Sequence, residues 1–191
     1  MAADADPRIA LAPDALDAMG PPINLFKLFA RNRPMAEAMI GWGRYELGKE
    51  LSLPMRVREL VIDRVAARCG AEYEWGVHVA YFGERVGLTH DQIRSLAHGS
   101  PEDACWAEED RDVLRAVDEL HDTNDLTDAT WSALAARLSD TQVLDLLLLA
   151  GWYHAIRYAA NAAGVELERS DARFADHLPA APVASRSPVG A

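Results

Sequence analysis

The sequence predicts an all-α fold, and three observations carry that expectation. Apolar residues recur at three-to-four spacing from about residue 22 to 164. Two capping boxes, Thr89-His90-Asp91-Gln92 and Ser139-Asp140-Thr141-Gln142, each stand just before such a run. Strand-like alternation bounded by hairpin turns is hard to find anywhere in the chain.

The elements follow in order. Residues 1–21 are rich in Ala, Asp and Pro and form an N-terminal extension expected to lie over the domain. A short amphipathic helix spans Ile23 to Ala30, and Pro34 opens a second that runs through Leu47 to Gly48. Pro54 opens a third, with Val57, Leu60, Val61 and Val65 at core spacing, and Gly70 either stops or only punctuates it. A fourth covers about Ala71 to Val86 and ends at Gly87. Thr89 caps a fifth, closed by Gly99, and a sixth covers about Ala107 to Asp122 with Leu114, Val117 and Leu120 inward. Thr127 caps a seventh through Trp131, Leu134 and Leu138, and Ser139 starts the longest helix, which runs to about Ala163 before Gly164. This last helix is apolar on nearly every face from Leu146 to Tyr153, so it is either central or covered by another subunit. The organisation expected is a single helical domain over 22–178 followed by a disordered tail over 179–191.

Composition narrows the function. The chain has 191 residues, and 30 acidic against 19 basic side chains give a formal charge of −11, which argues against nucleic acid as a partner. Two cysteines and no basic, apolar leader point to a reducing, cytoplasmic setting. No apolar run approaches the roughly 20 residues of a membrane span. Small molecules or protein are the expected partners.

The chemistry concentrates in the fourth helix, AEYEWGVHVAYFGERVG. Trp75, His78, Val79, Phe82 and Val86 define its buried stripe, so His78 sits within an apolar face. Glu74, one turn earlier, can bond the imidazole and fix its tautomer. The residues alone leave two readings open: a core histidine satisfied locally, or an acid/base pair able to exchange a proton with a substrate. One Glu and one His make no metal site without a third ligand, and no HExxH motif or Cys/His cluster accompanies them in sequence, so no metal is expected.

On the long helix His154, Arg157 and Asn161 form a polar stripe opposite Leu144, Leu147, Leu148, Gly151 and Trp152. It is either a solvated or subunit-facing surface, or the place where Arg157 or His154 orients a carboxylate, with Tyr153 as a hydroxyl donor. The third helix repeats cations at Arg56, Arg58, Arg64 and Arg68, which acids such as Glu59 or Asp63 can pair; Arg68 also lies just before the Glu74/His78 helix. Cys69 is either a small buried hydrophobe or a reactive thiol at a helix boundary.

The stretch LPMRVRELVIDRVAARCGAEYEWGVHVAYFGERVGLTHDQIRSL, together with AGWYHAIRYAANAAGVELE near the end, resembles the carboxymuconolactone decarboxylase family, which includes the alkyl hydroperoxide reductase D-like proteins. The resemblance covers roughly Asn24 to Glu168. It implies an all-α fold with a central antiparallel helical hairpin, assembly as a trimer, hexamer or larger ring, and one of two activities. These are decarboxylation of a carboxylated muconolactone and a peroxidase-like reaction whose motif is ExxCxxCxxxH. Anchored on His78, that motif places its cysteines at Ala71 and Glu74 and its glutamate at Arg68, so only the histidine survives. The chain therefore reads as a branch lacking the CxxC. The resulting expectation is a cofactor-independent decarboxylase or lactone isomerase acting on a small carboxylated acid. His78 and Glu74 are its expected catalytic pair, and Arg68, Tyr73, Trp75, Tyr153 and Arg157 its substrate-binding candidates. A catalytically silent oligomeric binding module and a thiol reaction at Cys69 are the alternatives.

Overall fold

A helix cannot normally bury its whole circumference when it carries six charged side chains, yet that is what the middle of this molecule does. The computed structural model describes residues 8–169 and 171–178. In it the helices are α1 (Asn24–Phe29), α2 (Arg33–Leu47), α3 (Met55–Arg68), α4 (Glu72–Phe82), α5 (His90–His98), α6 (Glu108–Thr123), α7 (Asp128–Ala135) and α8 (Asp140–Ala163). No strand occurs among the described residues. α3 is central, packing against α4, α5, α6 and α8. Every residue from Arg58 to Ala66 is buried.

The arginines and Glu59 buried on α3 have partners, whereas Asp63, with no hydrogen bond among the described residues, is pushed well above its ordinary value by burial. Arg64 meets Asp118 of α6 through two bonds of 2.7 Å and also donates to the carbonyls of Leu96 and Gly99, both at 3.1 Å. Arg58 donates to Glu59 at 2.6 Å. Around α3, Leu60, Val61, Val65, Leu114, Val117, Leu146 and Leu149 make one continuous core, while α1, Ala36, Tyr73 and the end of α8 make a second.

Both capping boxes form as the sequence predicts, and Gly164 takes the left-handed conformation (φ 71°) that ends α8. Three expectations shift. Pro54 caps α3 from outside rather than occupying its first turn. α4 is regular helix only to Phe82; turn residues carry the chain on to Gly87, which closes them in the left-handed conformation (φ 68°) with its amide on the Glu84 carbonyl and that of Leu88 on Gly83. α7 ends at Ala135, short of the expected Leu138, and its Trp131 is half exposed.

The face of α8 expected to be polar is split, with Asn161 exposed, His154 half-buried and Arg157 turned into the core. Arg157 is fully buried against α3, whereas Leu144 (56%) and Leu148 (47%) are exposed. Of the extension, residues 8–21 do lie over the domain: Arg8 donates to the Ala163 carbonyl, Ala12 to that of Lys27, and Leu11, Leu16 and Met19 pack on the second core. The tail expected to be disordered falls outside the described residues.

Candidate active site

Between α1, α2, α4 and α8 lies a cavity of about 550 Å³. Its walls are largely apolar, with Phe26 and Phe29 from α1, Met39 from α2, and Trp152 and Ile156 from α8. Polar side chains interrupt them, among them the buried Glu46, Glu74, His78 and Tyr153. Arg44, itself exposed, is the one guanidinium or ammonium among the described lining residues.

His78 is held from behind. Its Nδ1 lies 2.8 Å from Oε2 of Glu59, and with that carboxylate as acceptor the proton belongs on Nδ1 and the lone pair on Nε2. Arg58 in turn fixes the other oxygen of Glu59. Nε2 lies on the side of Glu74, 3.8 Å from its Oε2. The ring is packed edge-on against Tyr153, centroids 5.2 Å apart, and against Phe82 at 5.5 Å. The imidazole is thus locked in orientation and tautomer, with one nitrogen committed and one on the side of a cavity-lining acid.

Burial governs the acids around it. It pushes the Glu74 carboxyl above its ordinary value, against the opposing pull of His78 and Arg157. Oε1 of Glu74 has no hydrogen-bond partner among the described residues. Glu46, buried on α2 and likewise without a partner, is pushed up to about 7 by burial and by the nearby charge of Asp145. Burial also raises the Tyr153 phenol well above its usual value. The cavity wall therefore presents proton-holding acids beside a base, an arrangement suited to moving a proton on and off a bound molecule.

The residues singled out in the sequence separate into two groups. Glu74, His78 and Tyr153 come together on the cavity; Arg68, Tyr73, Trp75 and Arg157 do not line it. Arg68 pairs with Asp118 and Asp122 of α6, away from the cavity. Tyr73 bridges the Leu25 amide at 3.1 Å and Glu168 at 2.9 Å. Trp75 is enclosed by Phe174 and His177. Arg157 stands behind the wall, 5.2 Å from the Tyr153 ring, with Nη2 donating to the Ile62 carbonyl at 2.6 Å. The residue that orients His78 is Glu59, which the sequence reading placed among partners for arginines. Its signal was available, because Leu60, Val61, Ile62, Val65 and Ala66 spread round α3, and an acid set among them must be buried and needs a partner.

No Cys/His cluster is expected beside Glu74 and His78, and the one that the fold assembles lies elsewhere, from residues far apart along the chain. Cys69, His121 and His154 offer ligand atoms that all lie within 4.8 Å of one another. Burial raises the Cys69 thiol, opposed by the charges of Arg157 and Arg68.

With this geometry in place, the comparison with known families is decisive for one segment. The model of the carboxymuconolactone decarboxylase family matches residues 34–119, a span that holds Glu46, Glu59, Glu74 and His78. The chain carries a carboxymuconolactone decarboxylase family segment. Solved structures extend the likeness of fold beyond that segment. One is an uncharacterised peroxidase-related protein from Silicibacter sp. TM1040, with a TM-score of 0.69, 16% identity and 83% of each chain covered. Another is a protein of unknown function from Agrobacterium tumefaciens, provisionally described as the antioxidant defence protein AhpD, with a TM-score of 0.66, 18% identity, and 73% of this chain and 94% of that one covered. A third is a variant of the debrominase Bmp8 in complex with 2,3,4-tribromopyrrole, with a TM-score of 0.64, 14% identity and 81% of each chain covered. Among curated proteins none matches the chain. At such identities the structures establish the AhpD-like fold and nothing about substrate.

Proposed function

We propose that this family member is a proton-transfer enzyme working with its own side chains on a small, largely apolar organic acid. His78 is its acid/base and Glu74 the neighbouring proton holder, and Glu59 is a positioning residue. The observation that carries the reading is the imidazole fixed by Glu59 on the wall of an apolar cavity, with Nε2 on the side of a buried acid.

Decarboxylation and lactone isomerisation both need a proton delivered to carbon, and both develop negative charge on the substrate. They differ in where the carboxylate must sit. Loss of CO2 requires it at the reacting end, whereas isomerisation allows it to serve as a handle. The guanidinium on this cavity is the exposed Arg44, and the surroundings of His78 are acidic and apolar. That favours a carboxylate bound near Arg44 with the reacting carbon at His78, and so the isomerase-type proton shift over decarboxylation. The exposed apolar face of α8 supports a homo-oligomer, with a second copy covering Leu144 and Leu148.

The test is deuterium incorporation at carbon, followed by NMR across a panel of small unsaturated lactone acids in D2O. His78→Ala should lower exchange of a responsive compound on the order of 10² to 10⁴. Glu59→Gln should lower kcat with little change in KM, and Arg44→Gln should raise KM. A compound that binds in the cavity but whose exchange is indifferent to His78 would reduce the protein to a binding module.

A further inference from the structure

The three side chains gathered on the other side of α8 do not belong to the cavity just described. Cys69 follows the last turn of α3, His121 lies in the last turn of α6, and His154 is in the middle of α8. Three helix positions far apart in sequence thus bring one thiol and two imidazoles together. The Cys69 Sγ is 3.8 Å from Nδ1 of His154 and 3.9 Å from Nδ1 of His121. The two rings are stacked, with centroids 5.7 Å apart and planes at 30°.

We infer that Cys69, His121 and His154 form a binding site for a divalent transition-metal ion, Zn²⁺ being the best fit, held by one sulfur and two nitrogens. Zn–S bonds of about 2.3 Å and Zn–N bonds of about 2.0–2.1 Å separate tetrahedral donors by roughly 3.3–3.6 Å. The observed Cys–His separations are a few tenths of an ångström longer, within the reach of side-chain torsions. A mixed thiolate and imidazole set selects a borderline-soft ion over Mg²⁺ or Ca²⁺, which want oxygen.

The surroundings match a ligand set rather than a chance contact. With Nδ1 of His154 directed to the metal, its Nε2 lies 2.8 Å from the Tyr158 hydroxyl, one turn along α8. Metal-bound imidazoles are commonly oriented by such a hydrogen bond from the second nitrogen. Asn161 donates to the Cys69 carbonyl at 3.2 Å and secures the end of α3 that presents the thiol. The two imidazoles line a separate cavity of about 410 Å³, whose other residues include Val117, Leu147 and Tyr158. Three protein donors leave a fourth tetrahedral position, available to water or a small anionic ligand entering that cavity. This is the open type of zinc site rather than the closed, four-ligand structural type.

The experiment is a titration of untagged, metal-stripped full-length protein with Co²⁺. A thiolate-to-cobalt charge-transfer band and intense tetrahedral visible bands should saturate at one equivalent and be displaced by Zn²⁺. The thiolate band should vanish in Cys69→Ser and persist in Cys105→Ser. His121→Ala and His154→Ala should weaken binding at least tenfold, and Tyr158→Phe about tenfold. X-ray absorption at the zinc edge of the wild-type protein needs no variant, and one sulfur with nitrogen or oxygen neighbours is expected. A sulfur-free shell, no thiolate band at saturation, or a band that survives Cys69→Ser with helical circular dichroism intact, overturns the assignment.

Discussion

Glu46 shows how a single side chain can be set by its surroundings. It lies on the family segment, is 1% exposed, and neither carboxyl oxygen finds a hydrogen bond among the described residues. A folded-state value of about 7 against an ordinary 4.5 means that the native protein prefers the protonated acid. The folded state therefore carries no penalty at low pH and becomes progressively less stable as the pH rises from about 4.5 through about 7. Urea unfolding of the wild type and Glu46→Gln across pH 4.5 to 8 should show the wild type losing ground by at most about 3 kcal/mol. Parallel stability profiles would remove the argument. The neighbouring Asp145 behaves oppositely: burial pushes it up, but bonds from Ser52 and Tyr45 outweigh that and hold it below its usual range. The same carboxylate, accepting from the Tyr45 hydroxyl, raises that phenol to about 12. Whether a buried acid keeps its proton here depends on whether donors surround it.

At the scale of elements, two contacts decide how α4 carries the site. One is its bond to α3 through Glu59 and His78. The other is its close approach to the chain that returns after α8, where Ala172 donates to the Gly76 carbonyl and Phe174 donates no farther than 2.8 Å to Glu72. Gly76 is required by that approach, since a Cβ there would stand 2.4 Å from the Ala172 carbonyl oxygen. Gly76→Ala should cost about 1–3 kcal/mol by forcing the returning segment off α4. Denaturant unfolding measures the loss, and fluorescence should report new solvent exposure of Trp75, which that segment now covers. An unchanged midpoint would show that the segment contributes little. The helix ends were legible because capping is local: Ser139, Gln142 and Gly164 each act within a turn of their own position. Gly87, which closes the turn after α4, is equally local, whereas the bond from Arg56, 30 residues away, to the Val86 carbonyl is not.

At the scale of the whole molecule, the exposed residues on α8 matter most. Leu144 and Leu148 stand one turn apart, and Tyr158 is exposed further along the same helix. Replacing both leucines with glutamate should leave the fold intact and shift the particle to monomer, read by light scattering on a sizing column. A wild type already monomeric at micromolar concentration would end the oligomer proposal. The formal charge of −11 counts against anionic partners globally, so a carboxylate substrate depends on local cations. Arg44 is placed to act in that way, whereas Arg68, nearest His78 in sequence among the expected cations, spends its charge on Asp118 and Asp122.

The sequence by itself determined the helical class, most helix ends, the burial of His78 and the loss of the paired-cysteine motif. Each of these follows from spacing within a few turns of one helix or from the identity of residues at fixed offsets. Tertiary structure alone decided which acid holds His78, which arginines reach the cavity, which face of α8 is bare, and that Cys69, His121 and His154 meet. Those facts depend on side chains 19 to 85 residues apart being brought together by the packing of α3 against α4, α6 and α8. No periodicity along the chain encodes a distance of that kind.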